Sequence, residues 1–205
     1  MISSLVVIAS YLIGSIPFSH IFPWLLKGHD VREKGTKNVG ATNALVVGGK
    51  RAGILALAGD IGKGIAVISL ARYFALPDWA IALSGLAAVI GHDFSVCLRF
   101  KGGKGVATAG GVLMALDPIF GTLMLCLWIF TMIVMRYFIP ATVLVLCFVP
   151  VFMWLASWRI EYALVFGVLN AMLAIYAHRA NLKSFFEGKE LTIQESLKKY
   201  RGERI

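Results

Sequence analysis

The stretch Phe100-Lys-Gly-Gly-Lys-Gly-Val-Ala-Thr108 sets Lys101 and Lys104 among Gly102, Gly103 and Gly105, then runs straight into an apolar segment. Glycines let a backbone turn tightly and aim its N–H groups inward, and neighbouring lysines add positive charge. Glycines that lead into a helix N-terminus make a ready anion site. The spacing is not that of a nucleotide P-loop, which needs four residues between its first Gly and the Gly-Lys-Ser/Thr. A second loop, from Asp30 to Asn43, carries hydroxyls on Thr36 and Thr42, amides on Asn38 and Asn43, and flexible backbone at Gly35 and Gly40. These groups donate to phosphates and hydroxyls, and no carboxylate between Gly35 and Asn43 repels an anion. On composition alone, either loop is equally readable as a polar connection with turn residues and a helix cap.

Further along, Asp60 and Lys63 lie three residues apart within an apolar stretch, on one helical face and able to pair. Ionisable groups at membrane depth are functional suspects, and a mutual ion pair holding helices together is the competing reading. His92 with Asp93 closes one apolar segment, where a terminal histidine anchors or caps a helix. His178 and Asn181 close another, one turn apart, so that both can face one pocket. Cys97, Cys126 and Cys147 fall singly within apolar segments, which argues against a disulfide framework or a metal site.

The elements that must hold these groups are membrane helices. The 205 residues are 59% hydrophobic and 15% charged, with a mean hydropathy of +0.79. That is too apolar for a soluble domain of this size. Spans are expected near Leu5–Leu26, Ile54–Phe74, Trp79–Leu98, Val106–Leu116, Ile119–Met135, Ile139–Trp158 and Tyr162–Ala177. The first has no Lys or Arg before Lys27, so it reads as a retained span rather than a cleaved signal. Val106–Leu116 is only long enough for about half a bilayer, or about 16 Å at 1.5 Å per residue. It either merges with the next segment through Asp117-Pro118 or stands as a separate short helix. With seven spans, 17 Lys and Arg fall on one side and only Arg72 and Arg159 on the other, with Lys63 inside a span. Merging the two segments would divide them ten against nine. The positive-inside rule favours seven spans, with the N-terminus outside and the C-terminus cytoplasmic. The glycine loop then dips to membrane depth, where irregular backbone must be buried in protein or line a wet cavity.

The fold class expected is therefore an all-α polytopic membrane protein, one domain over residues 1–205 with no repeat or linker. The formal charge of +9 gathers on the cytoplasmic face, including a basic tail over 178–205 that suits anionic headgroups. Nucleic acid is not an expected partner, because the basic residues track membrane re-entry points.

Taken in order, several motifs resemble the acyl-phosphate-dependent glycerol-3-phosphate acyltransferases, bacterial integral-membrane enzymes of phospholipid synthesis. They are Gly14-Ser-Ile-Pro17, Asn38-Val-Gly-Ala-Thr-Asn43, Asp60-Ile-Gly-Lys-Gly64, Gly91-His92, Phe100 to Thr108, and His178-Arg-x-Asn181 through Gly188-x-Glu190. The resemblance covers almost the whole chain, and the family shares the seven-helix, N-outside topology. It implies that the 1-hydroxyl of sn-glycerol 3-phosphate attacks a long-chain acyl phosphate, giving lysophosphatidic acid and inorganic phosphate. An inner-membrane enzyme with a cytoplasm-facing site is implied, acting as a monomer without metal or cofactor.

Acyl phosphate is already activated, so the protein must chiefly position two anions and stabilise an oxyanion. On this resemblance Lys104, His178 and Asn181 are the catalytic residues. Thr36, Asn38, Gly40, Thr42, Asn43, Lys101, Gly102, Gly103 and Gly105 bind the phosphates. The His-x4-Asp motif of other glycerolipid acyltransferases is absent, since Leu25, Lys34, Cys97 or Lys183 stands five residues after each histidine. The substrate phosphate itself is then a candidate to remove the hydroxyl proton.

Five positions depart from the family pattern. Thr36-Lys37 stands where Ser-Gly is usual, Val46 where an arginine is usual, Ile139 where a serine is usual, and Ser184 where an arginine is common. Losing one charge-assisted phosphate contact costs about 1.5–3 kcal/mol. Lys37, Arg51 and Lys183 are the candidates to compensate. A divergent relative with impaired activity or another phosphorylated acceptor is the alternative reading, and a membrane anion transporter a more distant one.

Overall fold

The computed structural model describes residues 1–155 and 162–201. Trp158 at the end of the expected sixth span, Arg159, and the tail residues 202–205 lie outside the described residues. The chain forms two compact units, Met1–Gly121 and Thr122–Ile205.

The first unit begins with α1 (Ile2–Gly14) and α2 (Phe18–Lys27). The span expected over Leu5–Leu26 falls here, but Pro17 has no N–H to continue the helix, so the helical run breaks over Ser15–Pro17 within it. The break leaves carbonyls without helical partners. Ser95 Oγ donates to the Ser15 carbonyl at 2.5 Å, and Lys63 Nζ to the Ile16 carbonyl at 3.2 Å. α3 (Ala41–Tyr73) is two helices joined across Gly49, whose φ of 83° interrupts the helical run. α4 (Asp78–Asp93) leads through a short 3-10 turn, Val96–Leu98, into the glycine loop and α5 (Val106–Leu116).

Small residues let these helices approach backbone to backbone. Gly14 and Gly91 close the α1–α4 crossing, and Gly64 and Gly111 close the α3–α5 crossing. Close packing through small residues is how helices associate where lipid removes the hydrophobic drive. Asp117 keeps α5 separate from α6 (Pro118–Met135). Its backbone turns extended after α5, and its Oδ1 accepts the N–H groups of Ile119 and Phe120 at 2.8 and 2.9 Å. Gly121, on the first turn of α6, lies against the Met114 backbone. Arg72 fastens the far end of α5, donating to the carbonyls of Ala115 and Leu116 at 2.7 and 2.8 Å.

In the second unit α6 continues into α7 (Phe138–Leu155), then a π-helical stretch Tyr162–Val168, α8 (Leu169–Phe186) and α9 (Ile193–Arg201). Trp128 Nε1 donates to Thr142 Oγ1 at 2.9 Å, joining α6 to α7. A capping box starts α9, with Thr192 N–H on Glu195 Oε2 and Glu195 N–H on Thr192 Oγ1. The Ile193 N–H then reaches the Arg136 carbonyl at 2.9 Å.

Among the described residues, five helices are long and apolar enough to cross a membrane: Ile2–Lys27, Ala41–Tyr73, Asp78–Leu98, Pro118–Met135 and Phe138–Leu155. Val106–Leu116 is a shorter apolar helix, with the bounds expected from sequence. Outward-facing Ile119, Phe130 and Ile133 on α6 are the apolar surface of a protein whose solvent is lipid.

Candidate active site

The loop before α3 is shaped from within. Asn43, only 1% exposed on the first turn of α3, sends its amide Nδ2 to the carbonyls of Val31, Lys34 and Asn38. Its Oδ1 accepts the Thr36 N–H at 2.9 Å. Asn43, expected from sequence among the phosphate donors, thus has its amide committed to folding the loop. Thr36 and Thr42 stand exposed, Asn38 half-buried, and Gly40 caps α3 with extended backbone. Ala44 N–H makes the bond that closes the first turn of α3, onto the Gly40 carbonyl. The N–H groups just before it have no partner within the helix.

The second loop is anchored to the end of α4. Gly102 N–H bonds the Asp93 carbonyl and Gly103 N–H the His92 carbonyl, both at 3.0 Å. Two donors that the sequence reading reserves for phosphate are therefore turned toward α4. The donors left at this corner lie further on, at the start of α5, where Gly105 caps the helix with φ 69° and Ala109 N–H is bonded to the Gly105 carbonyl. Lys104 is half-buried beside them and close enough to Asp93 for their charges to interact. Lys101 is exposed. Lys37, Arg99 and Phe100 hold left-handed backbone, at roughly 1–2 kcal/mol each. Such strained residues gather where a site over-determines the chain.

The two loops meet at Gly103. A Cβ there would run into both His92 Nε2 and the Val39 carbonyl oxygen. The N-termini of α3 and α5 therefore adjoin, each with a partial positive charge and N–H groups that have no partner within the helix. Lys37, Val39, Lys101 and Gly102 line a cavity of about 470 Å³ at this seam, as do Glu33 and the Asp30–Arg32 pair. Arg32 holds Asp30 by three contacts of 2.6–3.1 Å. That hydrogen bonding pulls the Asp30 pKa from 3.8 down to about 2. The Asp30 carboxylate at the edge of the cavity thereby has its charge balanced by its own neighbour.

Beneath the seam lies a buried polar cluster whose reach the sequence does not reveal. Asp60 accepts from Ser19 Oγ at 2.6 Å and pairs with Lys63 at 3.0 Å. Lys63 also lies 2.7 Å from His92 Nδ1. The carboxylate oxygens of Asp93 are buried and accept no hydrogen bond among the described residues, with Oδ1 facing Gly105. The expected Asp60–Lys63 pair is there, and it is one part of a longer chain ending at the glycine loop. Intramembrane ionisable residues are the only signal for it in the sequence.

In the second unit His178 is 1% exposed and its Nδ1 lies 2.9 Å from the Ala174 carbonyl. A carbonyl only accepts, so Nδ1 carries a proton. Asn181 Nδ2 approaches Glu190 Oε1 at 3.5 Å, linking two motif residues. Among the described residues no group of three or more His, Cys, Asp or Glu could hold a metal ion.

Residues 4–188 match the family model described as glycerol-3-phosphate acyltransferase. The chain belongs to that family. A glycerol-3-phosphate acyltransferase of Bordetella pertussis is 41% identical over 199 residues, covering 93% of this chain and 92% of the relative. One from Burkholderia cenocepacia is 39% identical over 196 residues, covering 95% and 92%. The fold matches the crystal structure of PlsY (YgiH), an integral membrane glycerol 3-phosphate acyltransferase, in its glycerol 3-phosphate form. The TM-score is 0.87 at 34% identity, over 94% of this chain and 96% of that one. The lysophosphatidic acid form gives 0.85 at 32% identity, over 96% and 99%. This chain is accordingly an acyltransferase embedded in a membrane.

Proposed function

We propose that this acyltransferase moves the acyl group of an acyl phosphate to the 1-hydroxyl of sn-glycerol 3-phosphate. The observation that carries this is the meeting of two helix N-termini and their lysines at one seam. Such a corner binds a phosphate through backbone N–H groups and point charges, with no nucleotide-specific element. That PlsY structures are described with glycerol 3-phosphate and with lysophosphatidic acid supports the acceptor and the product.

The hydroxyl oxygen attacks the acyl carbonyl, a C–O ester bond forms, and the acyl–phosphate C–O bond breaks to release inorganic phosphate. Lys104 and the N-terminal N–H groups of α5 hold the charge that develops on phosphate and oxyanion. Thr36, Asn38 and Thr42 add donors from the facing loop, while Gly40, Gly102, Gly103 and Gly105 set the backbone. Lys101 adds charge at the cavity. His178 and Asn181 orient the glycerol phosphate, and the departing phosphate takes the proton. Where the family's arginine is missing at Val46, Lys37 supplies the cation, because Lys37 lines the cavity beside Lys101. Arg51 lies beyond the Gly49 interruption of α3, and Lys183 lies 3.8 Å from Glu187.

The same reading makes residues 1–205 one seven-span domain in a bacterial inner membrane. It acts as a monomer, with the N-terminus outside and the site facing the cytoplasm, in support of which stands the 17-to-two division of Lys and Arg. Purified protein supplied with palmitoyl phosphate and labelled glycerol 3-phosphate should form lysophosphatidate and release phosphate in equal amounts. No product from a folded protein overturns the reading. Product only from another phosphorylated acceptor favours the divergent alternative that Val46 raises.

A further inference from the structure

The geometry points to His92 as a positioning residue, held as the Nε2–H tautomer by Lys63 so that it braces the seam between the two phosphate-facing loops. An ammonium has three protons and no acceptor. His92 Nδ1 lies 2.7 Å from Lys63 Nζ and the Ile16 carbonyl 3.2 Å, while Asp60 Oδ1 forms an ion pair with it at 3.0 Å and lies 3.5 Å from His92 Nδ1. A donor-only ammonium at 2.7 Å requires a lone pair on His92 Nδ1, so the 3.5 Å approach of Nδ1 to Asp60 Oδ1 is not a hydrogen bond. The ring proton of a neutral His92 is then on Nε2.

Both ends of the arrangement are fixed by other elements. Asp60, on the same helix as Lys63, is held in turn by Ser19 of α2, and Ile16 belongs to the break between α1 and α2. His92 sits on the last turn of α4, and its own carbonyl takes the Gly103 N–H. Its Nε2 faces the Gly103 Cα, where the Val39 carbonyl oxygen also arrives. The Nε2–H is therefore presented where the backbone before α3 meets the backbone before α5. Nε2 and the Val39 carbonyl oxygen flank Gly103 without a hydrogen bond between them, and a donor held at that point would draw the carbonyl in and keep the two helix N-termini adjoining. A helix anchor needs no such orientation.

The inference rests on the assignment of this seam as the phosphate site, and its test has two arms that separate the two ideas. The first arm needs no activity. In the full chain labelled with 15N-histidine, the His92 signal, assigned by its loss in His92→Gln, should show Nδ1 as the unprotonated nitrogen. A proton on Nδ1, or an imidazolium, overturns the inference.

The second arm compares two amides. Gln at position 92 places its N–H₂ near the former Nε2, and Asn places its oxygen near the former Nδ1. If His92 braces the loops, His92→Gln keeps the KM for glycerol 3-phosphate within about threefold, while His92→Asn raises it about tenfold or more. If His92 serves only as a partner for Lys63, the order reverses and the inference fails. Equal losses in both, tracking a fall in thermal stability, assign it a structural role and also overturn it. Should His92→Asn not fold, the tautomer in the unaltered chain decides. An inactive but folded unaltered chain would instead sink the acyltransferase assignment and leave the tautomer result standing.

Discussion

Gly103 lies against His92 so closely that a single methyl group at position 103 would collide with the imidazole Nε2. The same methyl would strike the Val39 carbonyl oxygen, so neither neighbour can yield without moving a loop or the end of α4.

Gly103→Ala should therefore lower both stability and turnover. Overpacking of this kind costs roughly 1–3 kcal/mol. Gly110, on the following helix, has open space where a Cβ would go. Gly110→Ala should leave activity unchanged, and the helix gains up to about 1 kcal/mol in propensity. Thermal unfolding and phosphate release measured on both variants give the comparison, and equal effects would contradict the close packing.

Lys104 immediately precedes Gly105, the cap of α5. Removing a charge-assisted contact made in the transition state costs about 1.5–3 kcal/mol. Lys104→Met should thus reduce kcat/KM by about tenfold to 150-fold. Unaltered kcat/KM would remove Lys104 from the site.

Lys37 is assigned the cation that Val46 does not supply. Lys37→Ala should raise the KM for glycerol 3-phosphate about tenfold. Adding Val46→Arg to that variant should recover most of the loss. Failure of both changes to move the KM would assign the compensating charge elsewhere.

Asp30 has its pKa depressed to about 2, chiefly by hydrogen bonding from the Arg32 side chain. A depressed carboxylate contributes stability that is present above its unfolded value, near 3.8, and is lost as pH falls through about 2. The loop should thus keep this pair throughout neutral and mildly acidic conditions. In Arg32→Gln the Asp30 carboxyl carbon should titrate nearer the ordinary aspartate value of about 3.9. A carboxyl midpoint unchanged by the substitution would show that the pair does not hold it.

Much of the frame is legible in the chain because its signals are local. Asp117-Pro118 both stops and starts a helix, so the bounds of α5 follow from eleven apolar or small residues between a glycine loop and that stop. Asn43 shows the limit. Its residue type suits a phosphate donor, yet whether an amide faces a ligand or its own loop depends on where Val31, Lys34 and Asn38 turn their carbonyls. Gly102 and Gly103 show it again, since their N–H direction is set by the end of α4.

By itself the sequence determined an all-helical membrane chain, the two loops able to take a phosphate, and a family whose motifs run along almost its whole length. Those properties rest on hydropathy, charge and residue type, which each position carries with it. Only the tertiary structure decided that Lys63 would find His92, 29 residues away, and that Ile16 would be free to accept from it. The break before Pro17 exposes that carbonyl, and small residues let α1, α3, α4 and α5 close around it. Hydrogen-bond partners brought together by helix packing leave no periodicity in the chain, so their pairing emerges only once the helices meet.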